Sequence, residues 1–164
     1  MSSILTAYKL SESHRIAFEH AYANEKRVTY KSGFFGKKEI VTGEAYLWEY
    51  LDGIADQKTD FEFSGFLFID YFFTFLVLPD DLQAALTASG RGEHYYAIDA
   101  DLAGRIRAFL QKSAPSTAAL TSFAEGEGKA EPGYVDALLS THSQLLAWFG
   151  SCTTGSFLVL HLTF

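Results

Sequence analysis

The sequence predicts a single α+β domain, with N- and C-terminal strands in one sheet and several packed helices. Three observations predict it. The chain has 164 residues, a length that suits one hydrophobic core. Strand-like runs stand near both ends, Ile4–Lys9 and Phe157–Thr163. Between them lie stripes at helical spacing, the clearest being Val135, Leu138, Leu139, His142, Leu145, Leu146 and Phe149.

Taken in order, Ile4–Lys9 alternates as a strand should. Ser11 stands where an N-cap belongs and Glu12 suits the positive end of a helix over Glu12–Asn24. Ala17, Phe18, Ala21 and Tyr22 form its buried stripe. Arg27–Lys31 and Lys38–Thr42 read as two strands joined by the loop Ser32–Gly36, which offers two adjacent phenylalanines. Gly43–Ala55 has helical spacing, with Leu47, Leu51 and Ile54 on one stripe and Glu49, Asp52 and Asp56 on another. Phe61–Leu78 fits either strands or a buried helix; its aromatic and β-branched content favours a strand over Phe61–Phe68 and leaves the rest open.

Pro79 and the acids Asp80 and Asp81 open a short helix to Ala88, followed by the loop Ser89–Gly92 and an extended His94–Ile98. Asp99 caps a helix over Ala100–Lys112, with Leu102, Ala103, Ile106, Phe109 and Leu110 inward. Pro115-Ser116 starts another helix to about Ala124, and the glycines and proline of Glu125–Gly133 make a surface loop. A helix over Tyr134–Phe149 should stop at Gly150, and Phe157–Thr163 forms the last strand.

Composition narrows the function classes. A single cysteine, Cys152, excludes an internal disulfide and suits a reducing, cytoplasmic setting. The N-terminus lacks the basic and apolar segments of a signal peptide. Phe61–Leu78 contains Glu62 and Asp70, which argues for core over membrane span. A net charge of −7 argues against general nucleic-acid binding. The charge is unevenly placed. Lys26, Arg27, Lys31, Lys37 and Lys38 come without an acid among them, whereas Glu39–Asp81 carries ten acids and one base, Lys58.

The extended Tyr95-Tyr96-Ala97-Ile98, the Asp99-capped helix and a short helix ending in Phe123 are followed by Gly133-Tyr134. A helix closing in Leu145-Leu146-Ala147-Trp148-Phe149 and the strand Phe157-Leu158-Val159-Leu160 complete the order. This pattern resembles the YfbM-like family of bacterial domains of unknown function. The resemblance covers about the first quarter and last two-fifths of the chain. It implies an α+β bacterial cytoplasmic domain and brings no assigned active site.

Catalytic and metal-binding patterns are sparse. Cys152 follows a helix C-terminus, whose negative end raises a thiol pKa, so a structural cysteine is the simpler reading. The five histidines show no ligand spacing, and His142 on an apolar stripe reads as a hydrogen-bonded core residue. Gly90-Arg91-Gly92 and Gly126-Glu127-Gly128 lack the lysine and the strand–helix setting of a phosphate loop. No metal ligand or cofactor is expected.

The remaining feature is an acidic, aromatic surface of Glu44, Trp48, Glu49, Asp52, Asp56, Asp60 and Glu62. A solvated helix face is the plain explanation. The alternative is a docking surface with Trp48 as anchor, since aromatics within complementary charge make hot spots and steer association. The expectation is therefore a protein-binding module, an immunity- or antitoxin-type inhibitor that occludes the basic active-site cleft of a bacterial toxin. Two alternatives stand beside it. One is a small hydrolase-like enzyme with a pocket built from dispersed residues such as His94, Tyr96 and His142. The other is a phage or structural interaction protein.

Overall fold

The computed structural model describes residues 4–33, 36–61, 67–92, 94–129 and 131–163. The fold is α+β. A five-stranded antiparallel sheet has the order β4–β1–β7–β6–β5. Its strands are β1 (Ile4–Ser11), β4 (Gln57–Phe61), β5 (Gly90–Arg91), β6 (Tyr95–Ile98) and β7 (Ser156–Thr163). Strands β2 (Arg27–Gly33) and β3 (Gly36–Thr42) form a separate antiparallel hairpin. The predicted terminal strands pair along their whole length, from Ile4 opposite Thr163 to Ser11 opposite Ser156.

Side chains alternate across a strand, so the strands β1, β7 and β6 serve two cores. Leu5, Ala7, Ile98, Leu158, Leu160 and Leu162 face one layer of helices. Tyr8, Leu10, Tyr95, Ala97, Phe157 and Val159 face the other. Burial on both faces is why Phe157–Leu160 reads as a continuous apolar run.

The thinner layer consists of α1 (Arg15–Ala23) and α2 (Leu47–Ile54). Helix α1 follows a 3₁₀ turn, Glu12–His14, whose Ser11 hydroxyl accepts the Ser13 N–H as an N-cap should. Of the predicted stripe, Phe18 is fully buried and meets the Phe157 ring at a tilt, Ala21 and Tyr22 are half-buried, and Ala17 is exposed. Helix α2 is shorter than its spacing predicts. Residues Gly43–Tyr46 are spent on the chain crossing, where Lys26 N–H donates to the Ala45 carbonyl and Glu44 N–H to that of Asn24.

The thicker layer holds α3 (Ile69–Phe75), α4 (Asp80–Ala88), α5 (Ala100–Lys112), α6 (Thr117–Gly126) and α7 (Tyr134–Ser151). Asp99 caps α5 by accepting the Leu102 N–H at 2.8 Å, and Ser116 caps α6 by accepting that of Ala119 at 3.1 Å. Gly150 does not end α7, which continues to Ser151. A Cβ there would lie 3.1 Å from Arg107 Nε, so this glycine serves close packing of α7 on α5.

The strand favoured over Phe61–Phe68 is corrected. Strand β4 ends at Phe61, residues 62–66 lie outside the described set, and Leu67 and Phe68 are helical. The helix then widens into π-winding over Ile69–Phe75. Leu76 N–H donates to the Tyr71 carbonyl and Thr74 Oγ to that of Ile69, both i→i+5. The wide turn brings Phe68, Tyr71, Phe72 and Leu76 together in the core. Packing outweighs the strand propensity of these residues.

Candidate functional site

Two features of the surface stand out for function. The first is the β2–β3 hairpin, an arm whose described side chains are almost all exposed, including Val28, Tyr30 and Val41. Two strands alone are marginal in water, so the arm depends on its root. Five cations and one acid lie between residues 26 and 42, leaving eight cations and nineteen acids for the rest of the chain. The arm is thus a basic projection on an acidic body.

The root is locked by Gly43. Its φ of +82° is left-handed, and a Cβ there would meet the Glu25 carbonyl oxygen at 2.2 Å. Gly43→Ala is expected to cost well over ~1 kcal/mol, because the native backbone is barred to alanine. A lowered urea midpoint together with faster proteolysis inside the arm would register it; an unchanged midpoint would show that the root is not tightly held.

The second feature is a cleft of about 620 Å³ between the arm's root, α2 and the end of β6. The crossing residues Lys26, Arg27, Val28 and Thr29 line its mouth. Tyr46 and Trp48 form one wall, stacked at 6.2 Å with 20° between planes. Tyr95 and His161, opposite each other in the β6–β7 register, stack face to face at 4.3 Å and also line it. Tyr22, Glu25, Arg91, Gly92 and His94 complete it.

Charge in the cleft is partly committed. Arg91 is tied to Glu19 through two guanidinium nitrogens, at 2.8 and 3.0 Å. Lys26 Nζ lies 5.0 Å from the Tyr46 ring centre, and the Arg27 guanidinium 5.8 Å from that of Tyr22. Neither cation belongs to a salt bridge among the described residues. Burial, and then the nearby His94, push the His161 pKa down to about 4, opposed by Asp52. Its ring is neutral at physiological pH. Burial, with the Glu25 carboxylate behind it, pushes the Tyr95 phenol up.

The residues expected to form one acidic patch are divided by this geometry. Trp48 is 42 % exposed and lines the cleft, and Glu49 beside it is exposed. Glu44 lines a different groove of about 630 Å³ between α1 and α2, on the other side of Tyr46, with the exposed Ile16. Asp52 is not offered outward alone. Its carboxylate takes Lys58 Nζ at 2.9 Å and the Tyr8 hydroxyl at 3.0 Å, so the chain's own lysine balances it. Asp56 is exposed just after α2. Asp60 sits on the outer strand β4 opposite Thr6, and Glu62 lies outside the described residues.

The pocket of His94, Tyr96 and His142 is not formed. His94 lines the cleft, but Tyr96 points to the opposite face of the sheet, against Phe73. His94 stands in the turn before β6, outside the strand's alternation, which sends Tyr95 to the cleft side of the sheet and Tyr96 to the other. His142 lies with Tyr96 in the thicker layer, where its Nδ1 and the Tyr71 hydroxyl are 2.5 Å apart. Burial lowers its pKa. It is the hydrogen-bonded core histidine that its place on an apolar stripe predicts.

Neighbouring Asp70 is a residue that sequence reasoning did not assign a role. Its Oδ2 accepts from Lys129 Nζ at 2.7 Å and from the Tyr134 hydroxyl at 2.6 Å, pinning α3 to the start of α7. The Cys152 thiol donates to the Ser156 carbonyl, and burial raises its pKa, as suits a structural cysteine.

Among the described residues, no three histidine, cysteine, aspartate or glutamate side chains come together as metal ligands, and no helix is long and apolar enough to cross a membrane. Comparison with family models, curated proteins and solved structures finds no match, so the resemblance noted above rests on the residue pattern alone.

Proposed function

We propose that the chain is a protein-binding module, and within that class an immunity- or antitoxin-type inhibitor that acts by covering its target's active site. The observation that carries this reading is the setting of Trp48. A large aromatic side chain stands exposed on α2 between the acidic Glu49 and the basic root of the arm. Exposed aromatics flanked by charge are the usual anchors of protein interfaces, and flanking charges steer approach. The acidic share of the surface is Glu49 with Asp56, and Glu44 across the Tyr46 ridge. Asp52 leaves the set because Lys58 balances it.

The test is comparative capture. The wild-type chain and the Trp48→Ala and Glu49→Lys variants are cross-linked in cells, and the partner is then purified for kinetics. Trp48→Ala is expected to weaken binding by about 30-fold or more, mainly through faster dissociation. Glu49→Lys is expected to slow association and reduce its salt dependence. A partner bound equally by all three chains rules out this surface.

A further inference from the structure

We propose that the cleft between the arm's root, Trp48 and the Tyr95–His161 pair is a small-molecule site for a planar aromatic ring carrying an anionic group. The inference goes beyond protein binding and does not depend on it. The cleft's volume, about 620 Å³, lies within the range of small-ligand sites. Its lining divides by chemistry. Trp48, Tyr46, Tyr22 and the Tyr95–His161 stack supply flat aromatic surfaces. Lys26 and Arg27 at the mouth supply positive charge with no salt-bridge partner among the described residues.

Rings stack on aromatic side chains with little regard to their detailed identity, and a guanidinium or ammonium group next to them selects an anion. The competing charges are accounted for. Arg91 is held by Glu19, and Glu25, an acid that also lines the cleft, is engaged by the Tyr95 hydroxyl. A nucleoside monophosphate and an aromatic carboxylate share the required chemistry.

The experiment uses the full chain, labelled with ¹⁵N, and follows its two indole N–H signals. Trp48 lines the cleft, whereas Trp148 is largely buried and is not among the cleft's lining residues, so it serves as the control. Adenosine monophosphate and indole-3-carboxylate are titrated separately, with adenosine and inorganic phosphate as the two halves of the first. At least one of the two anions is expected to shift the Trp48 signal saturably below roughly 10 mM while Trp148 stays fixed. Which of them does so identifies the source of the ring.

The Lys26→Ala, Arg27→Ala double variant should weaken that anion by about tenfold or more and leave the weaker adenosine binding unchanged. Trp48→Ala should abolish the binding of both, judged by backbone amides of β6. The inference is overturned if neither anion shifts Trp48. It is equally overturned if adenosine binds as tightly as its monophosphate and indole-3-carboxylate does not bind, or if the double variant, with Trp148 unmoved, binds as the wild type does.

Discussion

Replacing Phe72 by alanine is expected to lower the free energy of unfolding by about 3–5 kcal/mol, the largest single-residue effect among these predictions. Phe72 is fully buried on the π-wound helix. It stacks on Phe68 at 5.1 Å and on Phe149 of α7 at 6.2 Å, and meets Phe73 edge-on at 5.4 Å. Truncation removes the transfer energy of the ring and leaves a cavity between two helices that cannot readily close. Against a typical total of about 5–15 kcal/mol, such a loss brings the domain near the edge of stability. Urea unfolding followed by circular dichroism measures it. Val77, five residues on and equally apolar, is 87 % exposed, so Val77→Ala should change stability by no more than about 0.5 kcal/mol. Similar losses in the two variants would mean that the 67–78 segment is not wound and packed as described.

Acidification is expected to destabilise the domain by about 2 kcal/mol between pH 7 and pH 5. The cause is His161, whose folded pKa of about 4 lies below the ~6.5 of an unfolded histidine. Above about pH 6.5 both states are neutral there, and stability does not depend on this ring. Below that, the unfolded chain takes up a proton that the folded chain refuses, so stability falls until the pH reaches the folded value. His142, also lowered by burial, acts in the same direction. Unfolding free energies at the two pH values give the slope. The His161→Phe variant keeps a ring on Tyr95 but has no proton to gain, so its slope should be much shallower. A wild-type domain equally stable at both pH values would show that His161 is charged without cost and therefore solvated.

How much of this was legible in the sequence varies by the range over which each feature is decided. The Ser11 and Asp99 caps, the stripe of α7 and the two terminal strands were legible, because each is set by residues within a few positions of one another. The 61–78 segment was not. Its residues suit either a strand or a helix, and the choice falls to partners such as Phe149 and His142, some 70 residues away. Helix α2 was overextended for a similar reason. Gly43–Tyr46 has helical spacing, but its backbone groups pair with Asn24–Lys26 across the root of the arm.

The candidate site divides along the same line. Sequence alone determined that the chain is α+β, that its charge is split between a basic 26–38 stretch and an acidic remainder, and that Trp48 stands on a helix beside acids. Only the tertiary structure decided that Asp52 is balanced by Lys58, that Glu44 and Trp48 open on different grooves, and that His94 meets Tyr95 and His161 and not Tyr96 and His142. The physical reason is that periodicity and capping are local energies. Which charge is neutralised and which ring lines a cleft depend instead on strand register and helix packing, which join residues as far apart as Tyr95 and His161.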